Sequence, residues 1–104
     1  MIIQLNGDKN LNIHEAFGDT LKERLTAGLS HFSSHITRLE VHLSDENGGK
    51  QGPDDKRCVL EARLEGKQPI AVTAHADNHE QAVKAATDKL KASLETVIGR
   101  QRNH

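Results

Sequence analysis

The stretch Arg57–Asn78, "RCVLEARLEGKQPIAVTAHADN", decides how this chain folds. In its first half, Cys58, Leu60, Ala62 and Leu64 alternate with Arg57, Glu61 and Arg63. A period of two puts the first set on one face of a strand and the second on the other. "GKQ", Gly66 to Gln68, breaks the pattern with the residues of a tight hairpin turn. Alternation then resumes, with Ile70, Val72 and Ala74 inward and Thr73 and His75 outward, and Pro69 stands where a strand tolerates it, at the start. The stretch ends as the period changes. Asp77 and Glu80 have the D-x-x-E spacing of a helix start, and Ala82, Val83, Ala86, Leu90, Leu94 and Val97 or Ile98 then recur at helical steps toward Gly99, the expected helix end. The tail "RQRNH" is polar and expected to fray.

Upstream, "ITRLEVHLS" (Ile36–Ser44) alternates as strictly: Leu39, Val41 and Leu43 face one way, Arg38, Glu40 and His42 the other. Before it, Ile13, Phe17, Leu21, Leu25, Leu29 and Phe32 form one apolar helical stripe, with Asn12 and Glu15 in capping-box spacing at its start and "SSH" at its end. "MIIQL" is a short β-rich run followed by the turn "NGDKN". The order is β-α-β-β-β-α. With one apolar face per strand and one stripe per helix, the economical solution is an α+β fold in two layers, a four-stranded mixed sheet with both helices on one face. The first two strands should be parallel through a right-handed crossover and the later ones antiparallel.

At 104 residues the size prior gives one domain, residues 1–104, with neither repeat nor linker. Phe17 and Phe32 are the only aromatics, so the core must be built of Leu, Ile, Val and Ala. A single cysteine, Cys58, excludes a disulfide within the chain; its inward register predicts a buried, unreactive thiol. No signal peptide and no apolar run near the length of a membrane span is read, which points to a cytoplasmic protein without a membrane partner.

The polar segment "DENGGKQGPDDK", Asp45 to Lys56, invites functional readings that its residues refuse. A phosphate-binding P-loop needs Lys followed by Ser or Thr and then a helix; here Lys50 is followed by Gln51 and a strand comes next. A calcium loop counted from Asp45 would need a glutamate at its twelfth position and meets Lys56. A long hairpin connection, mobile over Asn47–Pro53, is the expectation. Seven histidines raise the question of a metal, but the pairs His31/His35 and His75/His79 lack further converging ligands, so no metal and no cofactor are expected. No nucleophile motif occurs, and Asp54-Asp55 lies on a loop, a poor platform for acid–base chemistry. No enzyme activity, catalytic residue or small-molecule substrate is expected.

The remaining signal is basic. The formal net charge is -1, so a nucleic-acid surface would have to be a local patch. Lys22 and Arg24 lie off the apolar stripe of the first helix. Lys84 and Lys91 share the solvent side of the last helix, Lys89 its flank, and Arg100 and Arg102 extend the run. These seven are the candidate RNA-binding residues. The bland reading is an ordinary solvated helix face, since Asp88 and Glu95 are interleaved among the lysines.

Three segments carry a resemblance to a known family: "ITRLEVHLSDENGG" (36–49), "DDKRCVLEARLEGKQPIAVTAHADN" (54–78) and "QAVKAATDKLKASL" (81–94), the last holding Ala82, Asp88, Lys89 and Leu90 in an A-x-x-x-x-x-D-K-L pattern. In this order, over nearly the whole chain, they resemble the ribosome hibernation factors, the hibernation-promoting factor and protein Y group. The resemblance implies a cytoplasmic protein that binds the small ribosomal subunit and its rRNA in the cleft for mRNA and tRNA. It would silence idle ribosomes by occlusion, held by phosphate contacts. Where relatives often carry an arginine after D-K-L, this chain has Ala92-Ser93-Leu94. Some relatives carry a second, dimerising domain, which the chain, ending at His104, is expected to lack. The balanced charge favours a rival expectation, a protein-interaction or regulatory module of the same fold without strong ribosome binding.

Overall fold

The computed structural model describes residues 1–7, 15–45 and 56–102, with backbone alone for 15 and 100–102. The expected mobile loop Asn47–Pro53 and the expected cap at Asn12 lie outside these residues, as does Ile13. Four strands, β1 (Ile2–Gly7), β2 (Ile36–Asp45), β3 (Lys56–Leu64) and β4 (Ile70–Ala76), are joined with two helices, α1 (Glu15–Gly28) and α2 (His79–Arg102), in the order β-α-β-β-β-α. The sheet runs β1-β2-β3-β4, parallel between β1 and β2 and antiparallel thereafter. The α+β, mixed-sheet expectation holds.

Register explains the core. Val41 stands opposite Leu60, and Leu60 opposite Val72, so the inward residues of β2, β3 and β4 form continuous rows under the helices. Leu39, Val41, Leu43, Cys58, Leu60 and Ala62 are sealed from solvent, as are Leu21, Leu25 and Leu29 of α1 and Ala82, Ala86, Leu90 and Leu94 of α2. α2 covers β3 and β4 and touches α1 alongside it. Both stripes share one cluster with the strands' inner faces, so the layers are two.

β1 runs on through Asn6 and Gly7, where the expected turn would begin, because both pair with β2, opposite His42 and Leu43. Three helix boundaries also differ from the sequence reading. α1 stops at Gly28, and Phe32 reaches the core from a separate 3₁₀ turn, Ser30–Phe32. The apolar stripe continues across the break because i and i+3 still align in a 3₁₀ turn. Secondly, α2 is capped by Asn78, not Asp77: Asn78 Oδ1 accepts the Gln81 N–H at 2.8 Å, a cap worth about 1 kcal/mol. Both carboxylate and amide suit the position, and the chain geometry after β4 selects the second. Thirdly, Gly99 does not end α2, which runs on through Arg102. Gly99 lacks the positive φ that a terminating glycine uses. Gly66, in the β3–β4 turn, does adopt it (φ 73°), as the hairpin reading required.

Cys58 is fully buried on the inner face of β3, opposite Ala74. Desolvation pushes its pKa from 9.0 up to about 12, so the reactive thiolate is scarce in the folded state. Thiol reagents are therefore expected to label the native protein only through unfolding, and at once in denaturant. The same shift fixes a pH dependence. Above pH ~9 the unfolded thiol ionises while the folded one does not, so stability is expected to fall as pH rises through that window toward ~12. Equilibrium denaturation of the parent and Cys58→Ala across pH 8–11 checks this; the alanine variant should lose the cysteine's share of the decline.

Candidate nucleic-acid interface

α1 and α2 lie side by side on the sheet, and the seam between them is a groove of about 320 Å³. Small residues, Ala27, Gly28, Val83 and Thr87, line it, of which Val83 and Thr87 are buried. The helices approach closely because Gly28 has no side chain: a Cβ there would meet Thr87 Cγ2 at 3.1 Å. Thr87 cannot easily turn away, since its buried hydroxyl donates to the Val83 carbonyl at 2.7 Å. The rim carries Arg24 from α1 and Lys84 and Lys91 from α2, together with Glu80 and Asp88. Three cations against two carboxylates leave the groove one net positive charge.

The structure thus brings three of the seven candidate cations together and separates others. Lys22 is exposed but does not line the groove. Two residues along a helix turn the side chain by about 200°, so Lys22 and Arg24 flank the apolar stripe on opposite sides. Lys89 lies on the flank of α2 away from the groove. Its ammonium donates to the Thr73 carbonyl of the edge strand β4 at 2.8 Å, tying helix to sheet. Arg100 and Arg102 fall on the last turn of α2, where only the backbone is described.

Glu80 makes a groove-side ion pair with Arg24, at 3.7 Å between Nη2 and Oε2. Asp88 is spaced i+4 from Lys84 and i−3 from Lys91, so it sits on the same flank as both. The sequence reading missed Glu80 as a groove residue. Its D-x-x-E spacing drew it into a capping role, and nothing local signals a partner 56 positions upstream.

The opposite face of the sheet is a poorer phosphate surface. Arg38 and Arg63 stand opposite each other in register. Arg63, however, is clamped by Glu40 at 3.1 Å and Glu61 at 3.3 Å, both on the same face. At the other end of the sheet His79 anchors the start of α2, with Nε2 3.3 Å from the Ser44 carbonyl of β2. Lys56 pairs with Asp45 at 3.1 Å across the last register position of β2 and β3. Among the described residues, no group of three or more His, Cys, Asp or Glu is placed to hold a metal ion, and no helix is long and apolar enough to cross a membrane.

The sequence profile of the family described as sigma 54 modulation protein / S30EA ribosomal protein matches residues 3–102. Among solved structures, the N-terminal domain of Thermus thermophilus Protein Y superposes with a TM-score of 0.74 at 26% identity, covering 93% of this chain and 99% of that one. A ribosomal subunit interface protein from Coxiella burnetii superposes with a TM-score of 0.76, covering 95% of this chain and 99% of that one; at 18% identity the likeness is one of fold. A comparison with curated protein sequences gives no significant match.

Proposed function

The chain belongs to the sigma 54 modulation protein / S30EA ribosomal protein family, and from that premise we propose that it is a ribosome-associated hibernation factor. In this reading it acts in the cytoplasm without catalysis, and residues 1–104 work as one ribosome-binding domain. It binds the small subunit and its rRNA in the cleft that mRNA and tRNA would use, and silences idle ribosomes by filling that space. The observation that carries the reading is the family match over almost the whole chain, joined to a groove that gathers Arg24, Lys84 and Lys91 from two helices.

The physical mechanism is positional. Lysine and arginine contacts to phosphate fix a protein against structured RNA without reading its sequence. A formal net charge of -1 does not oppose this, because salt screens charges more than about 8–10 Å away and the local groove decides the attraction. Lys89 enters as a secondary contributor, since its ammonium already has the Thr73 carbonyl as a partner. Co-sedimentation with purified small subunits tests the proposal. Bound protein should fall steeply as salt rises, and excess mRNA-like and tRNA ligands should compete with it. Salt-independent pelleting, or no pelleting at ~0.1 M salt, would contradict it.

A further inference from the structure

A groove that is to receive phosphate has no evident need of carboxylates, yet Glu80 stands in this one against Arg24. The pair joins the two helices, with Arg24 from α1 and Glu80 from the first turn of α2. Its side chains are 53% and 51% exposed and 3.7 Å apart, a geometry that contributes little to the fold. Nor is Glu80 the cap of α2, since Asn78 takes that role. What the pair does change is the state of Arg24, which meets any incoming phosphate already facing an anion.

Resting on the reading of this groove as the RNA-contacting surface, we propose that Glu80 sets its ligand selectivity. It acts as an internal substitute for phosphate at Arg24, so that isolated phosphate groups are refused and an extended sugar–phosphate backbone is accepted. A lone phosphate at Arg24 exchanges one anion for another and is repelled by the displaced carboxylate. An RNA strand adds contacts that a lone phosphate cannot. Lys84 and Lys91 are seven residues apart on α2, about 10 Å along the axis, farther than one phosphate group spans. Only a ligand with several linked phosphates engages Arg24, Lys84 and Lys91 together and offsets the loss of the Glu80 pair. The groove is thereby protected from the phosphates and mononucleotides that surround it in solution. Glu80 works through Arg24, so it is a positioning residue.

The test compares the full-length parent with Glu80→Gln, Arg24→Ala, the double variant of the two, and Glu65→Gln. Glu65 lies on the β3–β4 turn, outside the groove, and controls for a simple gain of one positive charge. Binding to purified small subunits is titrated against salt, with inorganic phosphate as competitor, and thermal melting checks folding. Glu80→Gln should tighten binding roughly three- to tenfold, chiefly by releasing Arg24 to phosphate and in smaller part by removing a nearby like charge. The log–log salt slope should steepen by up to about one. Millimolar inorganic phosphate should now compete, where it does not against the parent. In the Arg24→Ala background the gain should shrink well below that in the parent, because no guanidinium is left to release, and what remains is the like charge four residues from Lys84. In Glu65→Gln it should be about twofold or less, because distant charges are screened. No gain from Glu80→Gln, or an equal gain without Arg24 or in Glu65→Gln, overturns the proposal. The two readings fail separately. If reversing Lys84 and Lys91 leaves binding intact, the groove is not the RNA surface and the inference about Glu80 falls with it. If that reversal abolishes binding while Glu80→Gln changes nothing, the groove stands and the role of Glu80 alone is overturned.

Discussion

The double reversal Lys84→Glu/Lys91→Glu is expected to weaken binding to the small ribosomal subunit by roughly a hundredfold or more at ~0.1 M salt. Both lysines line the groove beside Arg24, one exposed and the other half-buried. Each phosphate that is no longer neutralised by a cation lowers the log–log salt slope by about 0.9, and the reversed charges add repulsion. The fold should survive. The reversal puts like charges at helical spacing with Glu80, Asp88 and Glu95, at a cost of about 2 kcal/mol in total. A paired Lys84→Gln/Lys91→Gln variant avoids that cost and should still bind roughly tenfold or more weakly than the parent. Lys89→Gln alone should have a much smaller effect, because Lys89 lies on the other flank, bonded to Thr73. Pelleting at stepped salt, with circular dichroism to check folding, decides the matter. Equal weakening from Lys89 and from the groove pair would move the contact surface to the β4 side of α2.

For stability, the largest single effect is expected from Leu90→Ala, a loss of about 3 kcal/mol. Leu90 is fully buried at the middle of α2, the helix that covers β3 and β4. The surroundings are sealed too: Ala86 and Leu94 lie one turn either way on α2, and Cys58, Leu60, Ala62 and Ala74 are buried on the inner faces of the two strands the helix covers. Close-packed surroundings relax little, so most of the cavity would remain. For a domain of this length such a loss lowers the melting temperature by about 15 °C and removes a large share of the total stability. Differential scanning calorimetry measures it directly. A shift below ~5 °C would mean that the α2 seam collapses around the missing side chain, which its sealed surroundings argue against.

These two expectations draw on different kinds of information. Leu90 could be named from the chain alone, because periodicity is a local property. A period of two places Leu39, Val41, Leu43, Cys58, Leu60 and Ala62 on one face, and a period near 3.6 places Leu21, Leu25, Leu90 and Leu94 on one stripe; all are sealed in the structure. Once each element has a single apolar face, the layer arrangement has few solutions, and the element order selects among them. Helix ends were less legible. Asp77 and Asn78 are both good caps side by side, and Gly99 ends a helix only where the backbone turns left-handed, which pattern does not reveal.

The candidate site was legible as residue types and not as a surface. Lys22, Arg24, Lys84, Lys89 and Lys91 all lie off the apolar stripes, as the spacing required. Which of them share one groove depends on which flank of α1 faces which flank of α2. That choice is made by packing between segments far apart in sequence, above all the approach of Gly28 to Thr87. It sets Arg24 beside Lys84, Lys91 and Glu80, and leaves Lys22 and Lys89 outside the groove. Periodicity fixes a side chain's direction relative to its own helix axis; only packing fixes the rotation of one helix against another, and with it the charges that meet.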